Sequence, residues 1–227
     1  MDNNRLRQTL ADYRTLLQEV DTWFAGCVAA AAGTERIACR QGCNECCRGL
    51  FDITLLDAFL IQEAVNDLEK TILEAARRRA ALRLPELHRL WPDFSPPYLL
   101  NTLPEQEWTE MPEDDTIPCP LLGEDGFCLI YQARPMTCRL HGLPHVDHSG
   151  AIFLDTWCSR NFPGETPLAD PSLRWFFRQA FAGEAALIRQ LGEILTGTPR
   201  SEMDTFIPLA LLSDYAAIDW QRAFAPI

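Results

Sequence analysis

Cys39-Arg40-Gln41-Gly42-Cys43-Asn44-Glu45-Cys46-Cys47 packs four thiols into one short loop. Four more follow at Cys119, Cys128, Cys138 and Cys158, and only Cys27 stands apart. Thiols this crowded serve either disulfides or metal. A total of nine fits complete pairing poorly. The opening residues carry Asp2, Arg5, Arg7, Asp12, Arg14 and Glu19 without a continuous apolar run, so they do not read as a secretory leader. No stretch approaches the ~20 apolar residues that span a bilayer. A cytoplasmic, reducing location is therefore expected, where clustered cysteines bind metal or catalyse.

On the N-terminal side of this loop, residues 3–32 repeat Leu6, Leu10, Tyr13, Leu17, Val20, Phe24, Cys27 and Ala31 at spacings of four and three. That is the apolar stripe of one long amphipathic helix, with Asn3 or Asn4 to cap it and Gly33 to end it. Cys27 lies on the stripe and reads as a small buried hydrophobe. On the other side, Gly42 and Gly49 permit tight turns. Thr54-Leu-Leu-Asp57 then resembles a capping box opening a helix to about Leu84, with Leu56, Phe59, Leu60, Leu68, Ile72 and Leu73 on its apolar face. Arg77-Arg78-Arg79 near its end suits the helix dipole.

Residues 85–118 break helix with repeated prolines but carry Trp91, Phe94, Tyr98 and Trp108, which predicts a packed, irregular crossover. The acidic run from Glu105 to Asp115 reads as its solvated edge. Cys119 to Tyr131 reads as a tight hairpin that brings Cys119 and Cys128 together. Arg134-Pro135 starts a short helix or turn holding Cys138, and Ala151–Asp155 reads as a strand leading to Cys158. Asp170-Pro171 opens a helix with Leu173, Phe177, Ala180, Phe181, Leu187, Leu191 and Ile194 on one face, ending near Gly197. A last helix is expected from Ser201, bent or interrupted at Pro208. The fold class is thus mainly α: one domain over residues 1–227, with a metal-binding core (39–158) and a small β-hairpin between helical flanks (1–38 and 159–227).

A net charge of −12 argues against nucleic acid and anionic membranes as partners, since both require a basic footprint. Arg40, Arg48, Arg134, Arg139 and Arg160 nevertheless lie within two residues of a clustered cysteine. Guanidinium groups there would offset thiolate charge.

Thiolate is the soft ligand that selects zinc, copper(I) or iron–sulfur clusters. Adjacent side chains leave the backbone in different directions, so Cys46 and Cys47 do not comfortably share one tetrahedral ion. Two centres fed by one loop, or one centre with thiols left over, both remain open. The spacing Cys39-x3-Cys43-x2-Cys46 also resembles the loop of radical S-adenosylmethionine enzymes. Here, however, a helix precedes the loop, Glu45 takes the aromatic position, and no βα repeat follows. A closer resemblance runs through Cys39-x3-Cys43-x2-Cys46-Cys47, Cys119-Pro-Leu-Leu, Gly126-Phe-Cys128-Leu-Ile-Tyr131 and Arg134-Pro-x-x-Cys138-Arg139. This pattern resembles the zinc- or iron-chelating CxxCxxCC domain family, whose members are often labelled iron–sulfur oxidoreductases, and a flagellin lysine methylase is similar in its cysteines. The resemblance implies metal binding and names no reaction.

The expected ligands are Cys39, Cys43, Cys46, Cys47, Cys119, Cys128, Cys138 and Cys158. An iron–sulfur cluster is preferred over zinc, in a redox or electron-transfer protein with a protein redox partner. The alternative is a structural zinc module or a metal carrier without enzymatic activity. His141, His145 and His148 follow Cys138 and could ligate, but their Pro/Gly-rich setting reads as solvated loop.

Overall fold

The computed structural model describes residues 2–40, 42–103 and 116–224. Gln41, the acidic run Glu105–Asp115 and Trp108 lie outside them. Helix α1 (Asn3–Ala30) is the longest element. Asp2 caps it through Oδ1, one residue before the expected Asn3 or Asn4. Its buried stripe runs as predicted as far as Val20, then continues through Trp23 and Cys27. Trp23 replaces Phe24 on the inner face because its indole N–H reaches Leu173 O (3.2 Å) and its ring packs on Trp175 and Phe177. Cys27 is buried core, as expected.

Thr54 caps α2 (Leu55–Val65), accepting the Asp57 N–H at 3.3 Å. The predicted helix to Leu84 is divided into α2 and α3 (Lys70–Ala81), with α4 (Leu84–Leu90) following. The break falls at Asn66-Asp67, residues whose side chains compete with helical backbone bonds. Ile72 is consequently exposed rather than on an apolar face. Of the arginine triplet, Arg77 donates to Leu211 O and Arg79 to Pro120 O, so two of the three tie elements together. The crossover packs Trp91, Phe94, Leu100 and Leu103 against Phe206 and Leu209, a satellite core.

Three further corrections concern the second half. The 119–131 hairpin is reduced to one antiparallel bridge, Leu122↔Cys128. Asp170 caps only a 3-10 turn (Pro171–Leu173), because Arg174–Trp175 then runs extended. The helix proper, α6, covers Phe177–Thr196 and ends at Gly197 in the left-handed conformation. Residues Asp204–Phe206 form strand β5, antiparallel to β1 (Asp52–Thr54), and are not helical. Pro208 lies in the first turn of α7 (Ile207–Leu212), where its missing N–H costs nothing. The remaining elements are α5 (Met136–Leu140), β2 (His145–Asp147), β3 (Ile152–Leu154), β4 (Arg174–Trp175) and α8 (Trp220–Ala223). Strand β2 lies between β3 and β4. The architecture is mainly α. One hydrophobic cluster runs from Leu6 on α1 to Trp220 on α8, with Cys119, Cys128 and Cys138 packed against it.

Candidate metal centre

Short-range turns shape the cysteine loop. Cys43 N–H donates to Arg40 O and Cys47 N–H to Asn44 O. Gly42 holds φ +86°, and a Cβ there would press on the Phe127 ring at 3.1 Å. The loop is then stitched to the second cysteine region. Cys119 N–H donates to Cys47 O (2.9 Å), and Asn44 Nδ2 donates to Gly126 O (3.3 Å). Arg79 reaches Pro120 O through Nε and Nη2 from the far side. The third region, α5, is fixed by Arg139. Its guanidinium holds Arg134 O and Gln132 O and pairs with Asp21 on α1.

These ties bring Cys43, Cys46, Cys47, Cys119, Cys128 and Cys138 around one cavity of about 70 Å³. Its walls are otherwise mostly apolar, with Phe51, Leu121, Ile130 and Ile207, and His141 and Arg134 at its edge. Cys39 and Cys158 lie apart from it and meet at Gly142. All nine cysteines carry free thiols. Among the described residues, no three His, Cys, Asp or Glu side chains already surround a point in metal-ligating geometry. Binding would therefore draw the sulfurs inward and release their protons.

Burial raises the proton affinity of most of these thiols. It pushes Cys119 up to about 11 and raises Cys128, Cys138 and Cys39. The adjacent pair divides. Cys46 donates its S–H to Cys47, which raises Cys46 and lowers Cys47.

The donor set fits a soft metal or cluster. Arg134 strengthens the fit, because it lines the cavity while its buried Nε has no hydrogen-bond partner. A bound thiolate or sulfide would satisfy that donor. The other arginines are committed elsewhere: Arg139 as above, Arg160 to Glu45 (2.9 Å) and Arg48 to Thr116 O (3.5 Å), while Arg40 is exposed. Of these five, Arg134 is the one that lines the thiol cavity, and it too pairs with Asp21 through Nη2 (3.6 Å) and lies over the Tyr131 ring.

The histidines separate. His145 is not solvated loop: its ring stacks on Phe177 at 5.0 Å and its Nε2 faces Leu140 O at 3.3 Å. His148 lies against Phe176 near the surface. His141 keeps part of its ring exposed and borders both the thiol cavity and a second one of about 290 Å³.

That second cavity was not foreseen from the residue pattern. Asp57, Glu184 and Asp204 line it together with His145 and Thr137. Tyr13 Oη lies 2.8 Å from Asp57 Oδ1 and 3.0 Å from Glu184 Oε1. One hydroxyl proton cannot fill both contacts, so a carboxyl group must carry the second. Burial and the neighbouring Asp57 charge push Glu184 up to about 8, whereas Asp57 reaches only about 6. Of the two carboxyl groups, Glu184 is thus the better disposed to hold that proton, and Asp57 to accept from Tyr13. Asp57 also accepts the Met136 N–H (3.1 Å) at the start of α5, two residues before Cys138.

A zinc- or iron-chelating domain model, CxxCxxCC, matches residues 38–159. The chain belongs to this family, and metal chelation is the property the family carries. No curated protein and no solved structure matches the chain. The matched span holds all eight clustered cysteines and leaves out Tyr13, Asn161 and Glu184.

Proposed function

We propose that the chain binds an iron–sulfur cluster through its clustered cysteines and serves in electron transfer to a protein partner. The observation that carries this reading is the cavity itself. Six thiols, apolar walls and one orphan guanidinium donor surround about 70 Å³ of space. A single zinc ion takes four ligands at ~2.3 Å and needs no such room. Room beyond that of one ion suits a cluster, and apolar walls with N–H donors near sulfur are what tune a cluster's potential. When bound, the cluster would supply one-electron chemistry. The chain supplies the thiolates of the cavity, the Arg134 donor, and the exclusion of water by Phe51, Leu121 and Ile207.

Structural zinc is the second reading. It is favoured by the irregular backbone of residues 31–40 and 42–51, where no helix or strand forms among the described residues and which a metal staple would pin. Anaerobic purification followed by a visible spectrum and iron, sulfide and zinc analysis of one sample separates the two. Broad absorption near ~400 nm with matching iron and sulfide supports the cluster. A colourless protein with stoichiometric zinc overturns it in favour of the staple, and a metal-free protein overturns both.

A further inference from the structure

Six of the nine cysteines line the thiol cavity and Cys27 is buried core, which leaves Cys39 and Cys158 as a pair outside both. The segments that carry this pair are stitched together. Phe162 N–H donates to Arg36 O (2.6 Å), and Ala38 N–H donates to Asn161 Oδ1 (2.8 Å). Arg36 adds ion pairs to Glu165 and Asp170, each at 2.8 Å. Asn161, only 1% exposed, donates through Nδ2 to Cys39 Sγ (3.2 Å) and to Gly142 O (2.6 Å). Gly142 O also accepts from Cys158 N–H (3.3 Å). Gly142 itself holds φ +105°, and a Cβ there would stand 3.0 Å from Cys39 Sγ and 3.8 Å from Cys158 Cβ. Both cysteines therefore border the space that the missing side chain leaves.

We propose that Cys39 and Cys158 form a redox clasp outside the metal set: a small-molecule disulfide converts them to a protein disulfide that ties the start of the cysteine loop to the 158–165 segment. Both thiols are free and only partly buried, so a small reagent reaches them. One of the two, as thiolate, attacks a sulfur of the reagent RSSR. The S–S bond breaks, a mixed disulfide forms and one RS⁻ leaves. The second cysteine thiolate then attacks the protein sulfur of that mixed disulfide, forming the Cys39–Cys158 bond and expelling the second RS⁻. The cysteines give up two electrons, which reduce RSSR to two thiols, and the two cysteine protons end on those thiols. Excess thiol reverses the exchange, so the clasp closes only as its surroundings oxidise. Its consequence follows from its place. Cys39 opens the loop that carries Cys43, Cys46 and Cys47, three of the six cavity sulfurs. A covalent tie there restricts how far that loop can open. This effect on the cavity rests on the metal reading above, whereas formation of the bond does not.

The test treats the anaerobically purified, metal-loaded protein with glutathione disulfide, blocks the remaining thiols by alkylation and maps linkages by mass spectrometry without reduction. One Cys39–Cys158 cross-link with unchanged metal content is the expected result. A cross-link from either residue to a cavity cysteine, both residues left unlinked, or loss of metal as the cross-link forms overturns the clasp. The clasped form should then release its metal to EDTA about 10-fold more slowly than the reduced form. Equal release rates overturn the effect on the cavity. Protein that purifies without metal yet forms the cross-link supports the pair and overturns the metal reading instead. Gly142→Ala, which sets a methyl group in the shared space, should slow cross-linking about 10-fold. Cross-linking at the wild-type rate in that variant overturns the meeting place assigned to the two sulfurs.

Discussion

The thiol cavity and the carboxyl cavity share His141, and they are built in opposite ways. The thiols sit on loops, a single-bridge hairpin and a five-residue helix, elements too short to hold a shape alone. Among the carboxyl groups, Asp57 and Glu184, with the Tyr13 hydroxyl between them, sit on the scaffold helices α2, α6 and α1. One side offers soft donors that can move together. The other spends its hydrogen bonds on holding helices and, through Met136 N–H, the arm that carries Cys138. The difference teaches a division of labour: a rigid acid network supports a pliable thiol site.

The comparison is most sharply tested by removing one donor from each side. Cys138→Ser is expected to cost the cavity site its metal, with bound metal in the purified protein falling at least about 10-fold. Asp57→Ala leaves the Tyr13 hydroxyl and the Met136 N–H without their buried acceptor and should cost about 3 kcal/mol in denaturant unfolding. If Asp57→Ala removed metal without loss of stability, the carboxyl side would be a ligand rather than a support.

A smaller effect should appear with pH. Burial pushes Asp57 and Asp204 up to about 6 and Glu184 up to about 8. Each group then binds its proton more tightly folded than unfolded. Their stabilising contribution is whole below the ordinary carboxyl range and is lost as pH rises through about 6 and then about 8. The melting temperature should therefore fall between about pH 5 and pH 8.5. Glu184→Gln, whose amide still donates to Tyr13, should flatten the upper half of that slope. The smallest effect is expected from Arg79→Ala, which frees Pro120 O and Leu122 O and should lower stability by about 1 kcal/mol while loosening the hairpin.

Legibility in the sequence followed the range of the interactions. The α1 stripe from Leu6 to Val20, the Thr54 cap and the Gly197 stop depend on neighbours within a turn or two, and each is where the local pattern places it. The cysteine pattern identified the family for the same reason, since its spacing is written along the chain. Misreadings arose where a distant partner decided the outcome. Residues 204–206 became a strand because β1 pairs with them, and Arg174–Trp175 interrupted a helix because β2 does. Asp57 read as a local capping residue, yet its carboxylate meets Tyr13, 44 positions away. Asn161 carried one signal, its place three residues after Cys158, and nothing in that spacing reveals the Cys39 sulfur it holds.

The measurement that bears most directly on the central claim is X-ray absorption at the metal edge of the anaerobically purified protein. A first shell composed entirely of sulfur, at ~2.3 Å, is the predicted result and places the metal among the cysteines. A shell dominated by nitrogen or oxygen would place it on the His141 and carboxyl side and contradict the account.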